Sequence, residues 1–196
     1  EDDLRANLSR TELEIYENKL RERKKEDKIK KPEYMQKVLE NDYGTVVKYN
    51  EFFLTSDGRG YKKPELDFTQ KAEIGNKVSK AGNHLLVAVP SLIESQLFIN
   101  RDERARQYDA DMGFPRTMTW EINFTVPEGY RAIGVDNLTA TVDNDAGHFM
   151  SMAKLEGNLV KLLVKKQYKK INVKKEEWPK MLQFLDAAYN FSQKKI

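Results

Sequence analysis

The fold is decided by residues 118–126, Met-Thr-Trp-Glu-Ile-Asn-Phe-Thr-Val, in which apolar and polar residues alternate without a break. Successive side chains of a β-strand point to opposite faces, so this pattern predicts a strand with one buried face and one solvated face. Pro127-Glu128-Gly129 predicts the turn that ends it. A half-buried strand of this kind is typical of antiparallel sheets.

The sequence after this strand predicts more β-structure and then a helix. Shorter strands are expected around Tyr130–Val135, Leu138–Val142 and His148–Leu155, followed by a long strand from Leu159 to about Val173. An amphipathic helix is predicted from apolar residues at helical spacing, which are Trp178, Met181, Leu182, Leu185, Ala188 and Tyr189.

The sequence before this strand predicts two helices and then more strands. Ser9-Arg10-Thr11-Glu12 has the spacing of a capping box, and it precedes a helix with the apolar residues Leu13, Tyr16 and Leu20. A second short helix is bounded by Pro32 and Gly44. From Thr45 the period changes towards two, which predicts a strand-rich run to Leu54, a turn at Ser56–Gly60 and another strand over Leu66–Ile74. The apolar run His84–Pro90 predicts a strand buried on both faces.

These elements predict an α+β fold that is mainly antiparallel. We expect a β-sandwich or curved sheet with N-terminal and C-terminal helices packed on it. The charged connection Arg101–Asp111 indicates a boundary. The expected division is therefore residues 1–99, a helical lead-in plus a small β region, and residues 100–196, a C-terminal β domain with a terminal helix. The alternative is one compact unit.

Composition excludes several classes of function. Among the 196 residues there is no cysteine, which excludes disulfides, thiolate nucleophiles and Cys-based zinc sites. The two histidines are far apart in sequence, and no apolar run reaches the roughly 18 residues that a membrane helix needs. We therefore predict no catalytic residue, no cofactor, no metal and no membrane span. Because the chain begins at Glu1 and ends on Lys194-Lys195-Ile196, as if a strand had begun, we expect it to be a piece of a longer protein.

Two stretches are rich in carboxylates and are candidate sites. Asp143-Asn144-Asp145-Ala146-Gly147 resembles the start of a calcium loop, but Lys154 stands where an EF-hand needs its bidentate Glu. A turn in which Asn or Asp side chains bond to the backbone is the better interpretation. An enzyme would need converging carboxylates, and only Asp102–Asp111 is dense enough in them. A charged connecting loop explains that stretch more simply.

One basic segment is a candidate interaction surface. Residues 154–196 carry 11 basic and 4 acidic residues, whereas residues 32–153 carry 13 and 18. The candidate residues are Lys161, Lys165, Lys166, Tyr168, Lys169 and Lys170. Such a run can follow a phosphate backbone, but lysine without arginine is weak evidence for base recognition, and lysines also protect exposed edge strands from aggregation. We therefore do not expect nucleic acid as a partner.

Three segments carry a family resemblance: Trp120–Tyr130, the Gly147-His148-Phe149 motif, and Trp178–Ile196 with its Leu185-Asp186-Ala187-Ala188-Tyr189-Asn190-Phe191 stretch. Together they resemble the C-terminal region of exported proteins of Gram-negative bacteria. Those proteins carry an N-terminal β domain of unknown function, a transglutaminase-like core and a C-terminal β domain of unknown function. The likeness covers residues 100–196 well and residues 1–99 loosely.

The resemblance implies a non-catalytic accessory domain of an envelope protein, periplasmic or on the outer surface. Its partner would be the upstream transglutaminase-like or peptidase-like core of the same polypeptide. That core uses a Cys-His-Asp arrangement, and without cysteine none of those residues carries over. The alternative is a binder of a small hydrophobic ligand, held in a cavity between the Met118–Val126 strand and the C-terminal helix.

Overall fold

A computed structural model describes residues 14, 15, 18, 19, 21, 33–58 and 64–196 of the chain. The predicted capping box at Ser9–Glu12, the helix residues Leu13, Tyr16 and Leu20, and Pro32 lie outside the described residues. The chain divides into two units, residues 1–74 and residues 75–196. The sequence-based boundary between residues 99 and 100 stays a prediction.

In the first unit the described residues 14, 15, 18, 19 and 21 are helical, and a further helix and a two-stranded antiparallel sheet follow. The helix, α1, covers residues 33–43, and the strands are β1 (Val46–Asp57) and β2 (Leu66–Ile74). Gly44 follows α1 with φ 88°, and its N–H donates to the carbonyl of Glu40 at 2.9 Å. A left-handed residue that returns a hydrogen bond is a common helix ending, and glycine adopts it without steric strain. The predicted role of Gly44 is therefore confirmed.

The second unit is described without gaps and contains eight strands and one long helix. In chain order these are β3 (Val78–Ala81), β4 (His84–Val87), β5 (Ala110–Asp111), β6 (Arg116–Thr125), β7 (Ala140–Asp143), β8 (Gly147–Glu156), β9 (Leu159–Tyr168), β10 (Asn172–Val173) and α2 (Trp178–Ser192). A four-stranded antiparallel sheet has the order β6-β9-β8-β7, and β3 pairs with β4 and β5 with β10. The fold is α+β with mostly antiparallel strands in several sheets, as predicted.

The strand β6 confirms the pattern from which the fold was predicted. Every second side chain along it is partly buried, and the residues between them are exposed. It pairs with β9 in unbroken register from Arg116 opposite Tyr168 to Thr125 opposite Leu159. The partly buried residues Met118 and Trp120 therefore share a face with the buried side chains of β9.

The helix α2 packs on the β7 and β8 half of the sheet. Phe184 and Phe191 are completely buried in this contact, and the Phe191 ring lies 5.5 Å from that of Phe149. Gly147 at the start of β8 has no side chain, and the ring of Phe184 occupies that space. A Cβ atom at this position would lie 2.3 Å from the ring. The absence of a side chain at residue 147 therefore allows the helix to approach the sheet closely.

Three predicted strands differ in the structure. Residues 130–135 form no strand, because Gly129 and Gly134 both adopt left-handed φ of 83° and the chain bends into a short 3-10 turn at Val135–Leu138. The long strand from Leu159 ends at Tyr168, and β10 pairs instead with β5. The run from His84 is a strand only to Val87, and it alternates exposed and partly buried residues, so it is not buried on both faces.

Replacing Gly147 with alanine should lower the free energy of unfolding by about 1–3 kcal/mol, because the added methyl collides with a fully buried ring. Urea denaturation of residues 1–196 would measure this. In a Phe184→Leu background the same substitution should cost less than half as much. An equal cost in both backgrounds would show that the ring is not the cause.

Candidate binding cleft

The six residues of the predicted lysine surface do not form one surface. β9 lies inside the sheet between β6 and β8, so its side chains alternate between two faces. Lys161 and Lys165 lie on one face, Lys166 and Tyr168 are buried on the other, and Lys169 and Lys170 follow the end of the strand. The alternative that these lysines protect an exposed edge is wrong, since β9 is not an edge strand.

Three of the lysines form ion pairs within the chain. Lys161 contacts Glu156 at 2.5 Å, Lys169 contacts Asp143 at 2.5 Å, and Lys170 contacts Glu177 at 2.6 Å. Hydrogen bonds from Lys161 and then Lys154 lower the pKa of Glu156 to about 2. Much of the positive charge of this segment is therefore balanced by neighbouring carboxylates.

Lys166 has a buried environment that the sequence did not indicate. Its side chain is 4% exposed, and its Nζ donates to Oε1 of Gln96 at 2.8 Å and lies 5.2 Å from the ring of Tyr168. Burial, and after it the positive charge of Arg116, lowers the pKa of Lys166 to about 8, while Glu94 opposes the shift. Tyr168 and Lys166 therefore belong to the core and not to an exposed surface.

Two ion pairs join the Asp102–Asp111 connection to other elements. The guanidinium of Arg104 forms a bidentate ion pair with the carboxylate of Asp186 on α2. The hydrogen bond from Nη1 of Arg104 to Oδ1 of Asp186 measures 3.1 Å. Asp109 accepts from the Lys174 ammonium at 2.7 Å and from the Lys175 backbone N–H at 3.0 Å. The hydrogen bond from Lys174 is the main reason why the pKa of Asp109 is lowered. Two other carboxylates of the stretch bond locally, Glu103 accepting from the Asn100 N–H at 3.0 Å and Asp111 from the Gly113 N–H at 2.8 Å, so they do not converge with Asp109 on one site.

The Asp143–Gly147 segment is a turn closed by side chain to backbone bonds, as predicted. Asn144 Oδ1 accepts from the N–H groups of Ala146 at 2.9 Å and Gly147 at 3.1 Å. Its amide nitrogen donates to the Lys180 carbonyl at 2.9 Å, which ties the turn to α2. His148 Nδ1 lies 3.3 Å from Asp143 Oδ1.

A cleft of about 630 Å³ lies within the second unit. One wall is the hairpin of β3 and β4 together with the last residues of the chain. The other wall is the end of β6 and the irregular chain after it. The lining residues are Val78, Asn83, His84, Leu85, Leu86, Val87, Phe124, Val126, Pro127, Gly129, Tyr130, Arg131, Ala132, Ile133, Lys195 and Ile196.

The cleft combines an apolar lining with a basic character. Leu86, Tyr130 and Ile133 on its walls are large apolar side chains that are exposed to solvent, and such a group at one site is typical of a binding surface. Among the residues that line it, Arg131 and Lys195 carry charged side chains, and none is Asp or Glu. The cleft therefore suits an apolar ligand that carries negative charge.

The edge of β4 at the cleft forms one antiparallel backbone pair with the end of the chain. Val87 N–H donates to the Ile196 carbonyl at 2.7 Å, and Ile196 N–H donates to the Val87 carbonyl at 3.0 Å. Two residues that exchange both bonds form an antiparallel pair. Ile196 therefore occupies the position that a neighbouring strand would take beside β4.

The cleft does not lie where the sequence placed a ligand cavity. The predicted cavity between the β6 strand and the C-terminal helix requires open space beneath α2. Instead Met181, Phe184 and Leu185 are buried there against the sheet. The cleft could have been predicted from Pro127 and the turn glycines Gly129 and Gly134. These residues interrupt the apolar residues of this segment too often for a regular strand.

Residues 84–196 match one protein family, described as "Domain of Unknown Function with solved-structure structure (DUF3858)". The match includes all of β4 to β10 and α2 and most residues of the cleft. No curated protein and no solved structure matches the chain. Within the ranges that the structure describes, no helix is long and apolar enough to cross a membrane, and no group of three acidic or histidine side chains could hold a metal ion.

The buried Lys166 predicts a pH-dependent stability. At pH 7 it is charged in the folded and unfolded states, and only the folded state bears the cost of burying the charge. Because the folded pKa of about 8 lies below the usual 10.5, that cost disappears as pH rises between these values. Lys166→Met should be more stable than the natural chain at pH 7. Its advantage should shrink by about 2–3 kcal/mol towards pH 10.5.

Urea denaturation of both proteins across this pH range measures the difference between their free energies of unfolding. The titrations of all other groups cancel in that difference. A difference that does not change with pH would contradict the buried charge.

Proposed function

The chain belongs to the DUF3858 family, and we propose that it is a non-catalytic accessory domain of a larger envelope protein. In this proposal it docks on the transglutaminase-like core of the same polypeptide and positions it. The protein is exported to the periplasm or outer surface of a Gram-negative bacterium. The cleft beside β4 is the docking site.

One observation carries the proposal: the residues of the family resemblance also line the cleft. The Trp120–Tyr130 segment supplies Phe124, Val126 and Pro127 to one wall, and the Trp178–Ile196 segment supplies Ile196 to the other. A docking role also accounts for the exposed apolar side chains at the cleft, which a partner would cover.

The ion pairs of the charged connection support a positioning role. The Arg104 pair with Asp186 and the Lys174 pair with Asp109 hold the connection between β4 and β6 against α2 and the β10 region. A domain that positions another protein must hold its own loops in place, and paired charges between separate elements serve that purpose better than free ones.

The proposal is tested by measuring binding between residues 1–196 and the separately expressed transglutaminase-like core from the same reading frame, by isothermal titration calorimetry. Saturable binding is expected. Ile133→Glu should weaken it at least tenfold, because a carboxylate would be placed in an apolar contact. Ile133 lines the cleft and is 59% exposed, so this substitution should leave the fold intact.

The matched control is Met152→Glu, at a residue that is 56% exposed on the outward face of β8 and does not line the cleft. It should bind like the natural chain. A reading frame without such a core, or equal weakening by both variants, would overturn the proposal.

A second candidate function is supported by the size and charge of the cleft. Its 630 Å³ falls within the range of roughly 300–1,000 Å³ that is usual for small-molecule sites, and Arg131 and Lys195 could bind the carboxylate of an amphiphile. Native mass spectrometry with added dodecanoate tests this. A one-to-one adduct that Arg131→Gln weakens several-fold would support the ligand role, and binding unaffected by this variant would contradict it.

A further inference from the structure

The hairpin of β3 and β4 forms one wall of the cleft, yet it is a two-stranded sheet of its own, separate from the four-stranded sheet. We infer that this hairpin is a flap, which moves away from the cleft when the backbone pair between Val87 and Ile196 breaks. The motion itself is independent of what the cleft binds. Its role, which is to control entry and release, rests on the proposed function.

The hairpin has little contact with the core of the second unit, in which every residue is described. All four residues of β3 are exposed, and β4 alternates exposed and partly buried residues. Of its two partly buried residues, Leu85 and Val87, only Val87 packs against the buried core. A two-stranded hairpin with so little buried apolar surface is marginally stable by itself and opens at a low free energy.

Two backbone hydrogen bonds hold the hairpin in place. Val87 N–H donates to the Ile196 carbonyl at 2.7 Å, and Ile196 N–H donates to the Val87 carbonyl at 3.0 Å. We call this backbone pair the latch. Among the hydrogen bonds of residues 75–196, these two are the ones that join residues 78–87 to another part of the chain. The turn between β3 and β4 therefore has no hydrogen bond to the opposite wall of the cleft.

The base of the hairpin is fixed, and this places the hinge. Ala88 N–H donates to the Lys77 carbonyl at 2.8 Å, which closes the base directly below the two strands. Val89 and Pro90, which follow, are buried. Because the latch lies immediately before this anchored stretch, breaking it allows the hairpin to turn about its base while the remaining unit stays folded.

Movement of the hairpin changes the cleft, because the two walls come from different elements. The hairpin supplies Leu85 and Leu86, and the chain after β6 supplies Tyr130 and Ile133. A bound partner that contacts both walls is held while the flap is closed and is released when the walls separate. The stability of the latch therefore sets how fast the cleft takes up and releases what it binds.

Double electron–electron resonance measures this motion, because the chain contains no cysteine and two engineered thiols can be spin-labelled selectively. Lys80→Cys on β3 and Glu128→Cys after β6 place the labels at exposed residues that do not line the cleft. We expect a main short distance from the closed flap and a smaller population at a longer distance. Ile196→Pro removes one latch hydrogen bond and should raise the longer-distance population at least threefold.

Ile196→Val is the matched control, because valine has as many side-chain carbons as proline and keeps the N–H. It should give the distance distribution of the natural chain. A second label pair, Thr119→Cys on β6 with Glu128→Cys, should give one unchanged distance in both variants, which shows that the sheet and the loop stay in place. If the distance between residues 80 and 128 is the same in the proline and valine variants, the hairpin is not a flap.

Hydrogen exchange of the Val87 amide provides a second readout in the natural chain. The latch protects this N–H, whereas the amides of β9 lie between two neighbouring strands. In low concentrations of urea the Val87 amide should exchange at least tenfold faster than the Val164 amide, at a rate that urea hardly changes. Exchange of both amides at one rate that rises with urea would mean that the hairpin opens only with the whole unit, which contradicts the inference.

These outcomes are separate from those of the proposed function. The distances and exchange rates are measured on residues 1–196 alone, so they decide whether the flap moves even if the transglutaminase-like core does not bind. If that core binds, Ile196→Pro should speed its dissociation at least threefold relative to Ile196→Val. Equal dissociation rates from a hairpin that does move would overturn its role in release and leave the docking role in place.

Discussion

The contact between Phe184 and the backbone of Gly147 is the constraint on which the second unit depends. It brings α2 onto the sheet at a distance that any side chain at residue 147 would prevent. With α2 held there, the few residues after Ser192 can reach β4, where Ile196 pairs with Val87. One wall of the cleft is therefore completed by the docking of a helix that does not itself line it.

Several ion pairs connect separate elements. One third of the residues are charged, and Arg104 with Asp186 and Lys174 with Asp109 join parts that are distant in sequence. Lys166 differs from the paired lysines, because it is buried and its hydrogen-bond partner is the neutral amide of Gln96. Burying the charge of Lys166 lowers the stability of the folded state at neutral pH, whereas the charges of the paired lysines are balanced by carboxylates. The basic segment that first suggested a binding surface is therefore largely part of the structural framework.

The cleft lies where regular structure ends. β6 stops at Thr125, and the chain bends through Pro127 and two left-handed glycines before the next 3-10 turn. Irregular chain of this kind, held by a rigid sheet, commonly carries binding residues. The hairpin of β3 and β4 forms the opposite wall together with Ile196, and the loop supplies apolar side chains. The two together are the physical basis for proposing that a protein docks there.

The sequence by itself determined the elements whose pattern is local: the alternation of β6, the helical spacing of α2, the left-handed Gly44 and the turn chemistry of Asn144. Strand period, helix period and turn geometry depend on neighbours a few residues away, so they can be read directly. Tertiary structure alone decided that β9 lies inside the sheet with Lys166 facing the core, that the space beneath α2 is filled, and that Ile196 meets Val87 beside a cleft. These features join residues far apart in the chain, and their energies depend on which surfaces become buried together, which no local pattern specifies.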